Sequence, residues 1–244
     1  RKESSAASDV YKRQVRTSHQ NHAAMLARVL EDQATRTMQT AELALESLAT
    51  SPALTTVASE PRRMQDALGQ ALAALSFLRG LAVVDAGGRV VASTQPGEAE
   101  SFVDLAKLGP LVAVGRTVQG GLTPGRSLQS VRLGGAAAAA PAGVAFIPVM
   151  HGYKNEAGQA LVLVALVNPD SLSNFQHLTL ESEVFDSVVT SYSGQVLATS
   201  GAAAALAGTR VNNIPVFSQF LPRQEHATYL LSLIHISEPT RLLS

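Results

Sequence analysis

Leu81-Ala82-Val83-Val84-Asp85-Ala86-Gly87-Gly88-Arg89-Val90-Val91-Ala92-Ser93 is the stretch on which the fold turns. Two β-prone apolar runs flank Asp85-Ala86-Gly87-Gly88, and glycine supplies the positive φ that a tight connection requires. The pattern predicts a β-hairpin. A matching stretch lies further along the chain. Setting Gly88 on Gly194 places Arg89-Val90-Val91-Ala92-Ser93-Thr94 over Gln195-Val196-Leu197-Ala198-Thr199-Ser200. Val and Ala recur in place, with Val/Leu and Ser/Thr exchanged. One structural unit used twice is the expectation, with ordinary hairpin similarity as the plainer alternative.

Upstream of the first hairpin the apolar period is helical. Leu26, Leu30, Ala34, Thr37, Ala41, Leu45 and Leu48 recur at spacings of three and four, which predicts one long helix over residues 18–51. Thr50-Ser51-Pro52 should stop it, because proline disfavours the helical conformation of its predecessor. About 30 residues at 1.5 Å each make a rod of about 45 Å. Such a rod suits a stalk leading into a domain or, more plainly, a long packing helix. A second helix is expected over 61–77, with Met64, Leu68, Ala71, Leu72 and Leu75 inward. Downstream, residues 94–143 are rich in Gly and Pro, with a short helix at 103–108 and a loose surface excursion at the 136–140 alanine run. Residues 144–150 and 159–167 read as two strong strands joined by a polar turn. Asn168-Pro169-Asp170 ends the second, and a short helix over 171–178 follows. The fold class expected is α+β.

The chain has 244 residues, 19 basic and 19 acidic groups, no Cys and no Trp. Balanced charge excludes the basic face of a nucleic-acid binder. The lack of Cys excludes a disulfide framework, a thiolate zinc site and a Cys nucleophile. The longest fully apolar run, at 160–167, is far shorter than the roughly 20 residues that span a bilayer. No Gly-x-Ser-x-Gly elbow, phosphate loop or His-Glu-x-x-His helix is present. His19 and His22 lie three apart on the expected helix but have no third ligand, so no metal or cofactor is expected, and no catalytic residue.

Both ends read as foreign. One codon choice for Asp9-Val10-Tyr11-Lys12-Arg13-Gln14, taken on the complementary strand, spells Leu231-Ser232-Leu233-Ile234-His235-Ile236. The two ends resemble a transposase mosaic-end adapter of short-read library preparation. Residues 1–14 and 231–244 are therefore expected to be adapter-derived and are left out of the fold argument. The remainder, 15–230, is expected to be a piece of a longer reading frame.

The order of elements then resembles a known family. A long helix leads to Val83-Val84-Asp85-x-Gly87-Gly88-Arg89-Val90-Val91-Ala92-Ser93. Phe146-Ile147-Pro148-Val149 follows, then a charged turn ending at Gly158, the strand at 161–167 and Asn168-Pro169-Asp170. A second Gly-x-Val-Leu-Ala hairpin closes the series. This is similar to the extracytoplasmic double-Cache, PAS-like sensor domains of bacterial membrane receptors. The resemblance implies a long stalk helix at 15–60, a membrane-distal PAS-like antiparallel-sheet lobe at 61–181, and the start of a second, truncated lobe at 182–230. It also implies a periplasmic location, a membrane-anchored parent and a homodimer paired through the N-terminal helix. The ligand would be a small molecule, and the output a diguanylate cyclase, phosphodiesterase or histidine kinase, with a chemotaxis receptor as a further possibility. A ligand-free structural or dimerisation ectodomain and an unrecognised periplasmic hydrolase are the alternatives.

Five residues are candidates for the ligand site. Arg126 and Ser127, after a Pro-Gly turn, resemble a Gly-Arg-Ser/Asp stretch of similar sensors, and a guanidinium fork suits bidentate capture of a carboxylate. Arg126 could equally be a solvated loop arginine. His151 and Tyr153, just past the strand at 144–150, lie where this family often contacts ligand, or else bond to nearby backbone. Asp170 could hold an amine, or serve as turn and helix-cap chemistry. Arg79 could be salt-bridged structure. The Tyr-x-x-x-x-x-Arg-x-x-x-Trp-Tyr pattern of some amino-acid-binding relatives cannot be placed, which favours small carboxylates over amino acids.

Overall fold

A computed structural model describes residues 2–56, 60–134, 143–181, 183, 185–214 and 216–217. The 136–140 alanine run and residues 231–244 lie outside the described residues. Residues 27–211 form one compact unit.

Helix α1 spans Lys2–Ala49. It thus starts earlier than the apolar period suggested, and residues 2–14, read as adapter, continue it without a Pro or Gly to interrupt. The stripe at Leu30, Thr37, Ala41 and Leu45 is buried as the spacing requires. The helix stops before Ser51, and Pro52 opens the short α2, Pro52–Thr55. Helix α3, Pro61–Ala74, follows with Met64 and Leu68 buried. It ends before the expected Phe77, where Leu75 N–H turns back to the Leu72 carbonyl and strand β1 begins at Leu78.

The central sheet is antiparallel, in the order β2-β1-β6-β5-β3. Its strands are β1 Leu78–Asp85, β2 Val90–Ser93, β3 Thr117–Gln119, β4 Thr123–Pro124, β5 Ala145–Lys154 and β6 Ala160–Val167. The short β4 pairs with the start of β5. Between β2 and β3 lies α4, Leu105–Leu108, whose N-cap Asp104 accepts from Ala106 N–H. After β6, Asn168 caps α5, Pro169–Leu180, with Pro169 in the first turn where its missing N–H costs nothing.

Alternation along the strands makes two faces. Leu81, Val83, Ile147, Val149, Leu163 and Ala165 pack against Ala41 and Leu45 of α1, Leu54 of α2 and Leu68 of α3. Ala82, Val84, Phe146, Met150, Val164 and Leu166 form a second cluster with Val103, Leu108, Leu128 and Val131 from the β2–β5 connection. Helices therefore cover one face. The other is covered by loop and short-helix segments.

The two hairpins match in register. Ala82↔Ser93, Val83↔Ala92 and Val84↔Val90 pair in the first, with a bulge between Val83 and Val84. In the second, β7 Val188–Thr190 and β8 Val196–Thr199 pair as Val188↔Thr199, Val189↔Ala198 and Thr190↔Val196, with the bulge between Val189 and Thr190. Gly88 and Gly194 both carry positive φ, +84° and +79°. Leu81 N–H donates to Thr94 Oγ1 at 2.9 Å, and Ser187 N–H to Ser200 Oγ at 2.8 Å. Val103 N–H closes on the Gly88 carbonyl, and Val211 N–H on that of Gly194, both at 2.8 Å.

Candidate functional site

On the sheet face away from the long helix, the segment after α4 arches over the ends of β5 and β6. It leaves a cavity of about 230 Å³. Met150 and Gly152 of β5 and Val162 of β6 supply the floor, Leu105 and Val112 the wall, and the exposed Leu111 and Val114 the rim. The arch is pinned by backbone: Gly115 N–H donates to the Gly152 carbonyl at 2.7 Å, and Gly152 N–H to the Arg116 carbonyl at 3.0 Å. Glycine is required at 152, since a Cβ there would meet the Ala113 carbonyl oxygen at 2.5 Å. The close approach of arch and strand depends on that missing atom.

Among the described residues, none that lines the cavity carries a titratable side chain. The cavity can bind, but it holds no nucleophile, acid or base to transform what it binds. Among the described residues no group of three His, Cys, Asp or Glu is placed to hold a metal ion. Also among them, no helix is long and apolar enough to cross a membrane.

The five sequence-derived candidates do not converge on this cavity. Strand β5 runs on to Lys154, so His151 and Tyr153 lie inside the strand and not beyond it. The strand persists because 151–154 keep their pairing with 160–163 of β6, and β3 adds to His151 from the other side. Tyr153 belongs to the core cluster on the helix-facing side, whereas the cavity floor is Met150 and Gly152. His151 is 7% exposed, and its Nδ1 lies 2.8 Å from Thr117 Oγ1. Burial pushes its imidazole below the ordinary 6.5, and the Glu46 carboxylate of α1 pulls partly back. Tyr153 is 5% exposed, its hydroxyl has no hydrogen-bond partner among the described residues, and burial drives its phenol upward.

Arg126 is exposed beside β4, which pairs with Ala145 and Phe146. That is the far end of β5 from the cavity, about 15–20 Å along the strand at roughly 3.3 Å per residue. Ser127 Oγ caps the 3-10 turn Leu128–Val131 by accepting from Gln129 N–H. Asp170 pairs with Arg79 at 2.9 Å, joining β1 to the first turn of α5, and its own N–H is held by the Asn168 side chain. Arg79 is thus the salt-bridged residue that one reading foresaw.

The cavity residues escaped sequence reasoning because each is ordinary core chemistry. Two signals were available: Gly109-Pro110 directly after a short helix, and Gly152 breaking an otherwise apolar strand.

No family model matches the chain, and no curated protein matches it either. Solved structures do resemble it in fold. An extracellular ligand-binding receptor from Desulfohalobium retbaense superposes with a TM-score of 0.59 at 14% identity, over 80% of this chain and 34% of that one. This chain therefore spans about a third of that receptor. The extracellular domain of a histidine kinase gives 0.57 at 17% identity, over 82% of this chain and 78% of its own. The ligand-binding domain of the Pseudomonas fluorescens chemoreceptor CtaA, solved with L-valine, gives 0.53 at 15% identity, with 79% of each chain covered. A long N-terminal helix followed by an antiparallel sheet is the architecture they share with it.

Proposed function

We propose that this chain is the extracytoplasmic small-molecule-sensing region of a membrane signal-transduction protein. Residues 15–60 act as the stalk helix, 61–181 as the membrane-distal Cache-like lobe, and 182–230 as the beginning of a second lobe. The observation that carries the reading is the cavity: a space of about 230 Å³, not filled by the chain's own side chains, on the sheet face opposite the long helix. A purely structural ectodomain has no use for such a space, and a hydrolase would line it with reactive groups. The likeness in fold to extracellular receptor, kinase and chemoreceptor domains supports the same reading.

Signal would leave through α1 and a partner copy's α1, a pairing supported by exposed Val29 and Leu43, two heptads apart and off the buried stripe. The output would be a cyclase, phosphodiesterase or histidine kinase, as the sequence resemblance implied. A ligand moves such a switch only by binding one arrangement of the helices better than the other.

The test is thermal unfolding of the purified chain against neutral, acidic, basic and zwitterionic small molecules. A cognate class at about 100 times its Kd should stabilise the fold by about 2.7 kcal/mol. If the melting curve ignores every class, the sensing role fails and the structural ectodomain takes its place.

A further inference from the structure

We infer that the cavity takes an uncharged, largely apolar molecule, with a body the size of one substituted ring, and does not take an amino acid or a carboxylate. The inference rests on the sensing role proposed above and names the ligand class of that same cavity.

The lining is the first reason. Every described residue around the cavity is Ala, Gly, Pro, Leu, Val or Met. A zwitterion such as L-valine brings two full charges, and each would have to leave water for an environment without a partner side chain, which is strongly unfavourable. No cation is among the described lining residues: Lys154, which follows Gly152 on the same side of β5 and pairs with the lining residue Ala160, is exposed at the strand end. Arg126 sits at the opposite end of β5, beside β4. Arg79 is committed to Asp170. Lys107 is exposed on α4 with Asp104 at 4.0 Å. Arg116 is exposed, and its part in the arch is its carbonyl, which accepts from Gly152. His151 belongs to the strand position whose partner is Thr117, between floor residues Met150 and Gly152 that point the other way.

Size and rim agree with the lining. An apolar cavity of about 150 Å³ is enough to hold benzene. At about 230 Å³ this one has room for a ring with a short substituent, or a branched aliphatic body of comparable bulk. Leu111 is 96% exposed and Val114 50%, so the rim presents apolar surface that an apolar occupant would cover. The space is preformed. Gly152 lets the backbone at Ala113 approach β5, and a Cβ added at Gly109 would lie 3.0 Å from both Gly120 Cα, just past β3, and the Met150 side-chain Cε. Pinned in this way, the wall does not collapse onto the floor.

The experiment uses one ring in three charge states, benzyl alcohol, benzoate and benzylamine, with L-valine beside them. Binding is read by calorimetry and by shifts of the Met150 methyl resonance. Benzyl alcohol should bind at least tenfold more tightly than either charged analogue, with L-valine silent. Val162→Trp, which grows into the cavity from the floor, should abolish that binding. Val112→Arg, which places a cation in the wall, should reverse the order in favour of benzoate. Benzoate or L-valine binding the unmodified chain as tightly as benzyl alcohol would overturn the ligand class and leave the sensing role standing. Benzyl alcohol binding unchanged in both variants would overturn it too, by placing the interaction elsewhere. Silence from all four probes and from the wider panel of small molecules would remove the sensing role itself.

Discussion

The two hairpins of this chain are built to one plan and used in different ways. Both bulge at the same step, turn on a positive-φ glycine, and receive a third segment on the turn glycine's carbonyl. In the first hairpin, β1 has β6 on its other edge, and its residues are buried almost throughout. In the second, β7 has no further strand among the described residues and is half-buried to exposed, while β8 is buried against α5 and the main core. Local chemistry therefore decides the hairpin, and its neighbours decide how much it carries.

Replacing the turn glycines should separate the two most sharply. At Gly88 an alanine meets the strained positive φ and also the Val103 carbonyl oxygen, 2.5 Å from the new Cβ. Gly88→Ala should cost about 3 kcal/mol in urea denaturation. Gly194→Ala meets a positive φ of +79° in a hairpin with no further strand beside it among the described residues, and should cost about 1 kcal/mol. Equal losses would mean that the second turn is as tightly enclosed as the first.

Next in size is the tether of the second hairpin. Gln195 Oε1 accepts from Leu122 N–H at 2.9 Å, and Gln195 Nε2 donates to the Leu122 carbonyl at 3.5 Å. Gln195→Ala should lower the local opening energy of β8 by about 1–2 kcal/mol, with β1 and β2 unmoved. Hydrogen exchange resolves the strands separately, and unchanged protection at β8 would assign its attachment to Leu197 and Ala198 packing alone.

The smallest effect is a pH dependence confined to the first hairpin's sheet. His151 has its proton affinity lowered by burial, so the unfolded chain holds the proton more readily. The stabilising difference is complete above 6.5 and is lost as pH falls through that value toward the lowered one. Between pH 7.5 and 5.5 the Tm should drop by about 1–3 °C, with faster exchange in β5 but not in β7 and β8. His151→Gln should flatten the profile, and an unchanged slope would place the titration elsewhere.

Much of the fold was legible before the structure. The helical stripe at Leu30, Thr37, Ala41 and Leu45, both hairpins, and the paired strands around Gly158 follow from periodicity and turn chemistry that act within a few residues. The site was not legible. His151 and Tyr153 were placed just past a strand expected to end at Met150, where the resembled family often contacts ligand. Here Thr117 supplies His151 with a partner from a distant strand, and the core buries Tyr153. Asp170, an open choice between amine ligand and turn chemistry in the sequence, has Arg79, 91 residues earlier, as its partner.

What this sequence determined by itself is the order and register of its elements: a long helix, a hairpin, a strand pair and the hairpin again. Those depend on φ preferences and apolar spacing between near neighbours in the chain. Only the tertiary structure decided which face of the sheet stays open and what lines it. A cavity walled by Leu105 and Val112 and floored by Met150 and Val162 has no local signature, because its apolar residues look like any core until distant backbone, brought close at Gly152, leaves space between them unfilled.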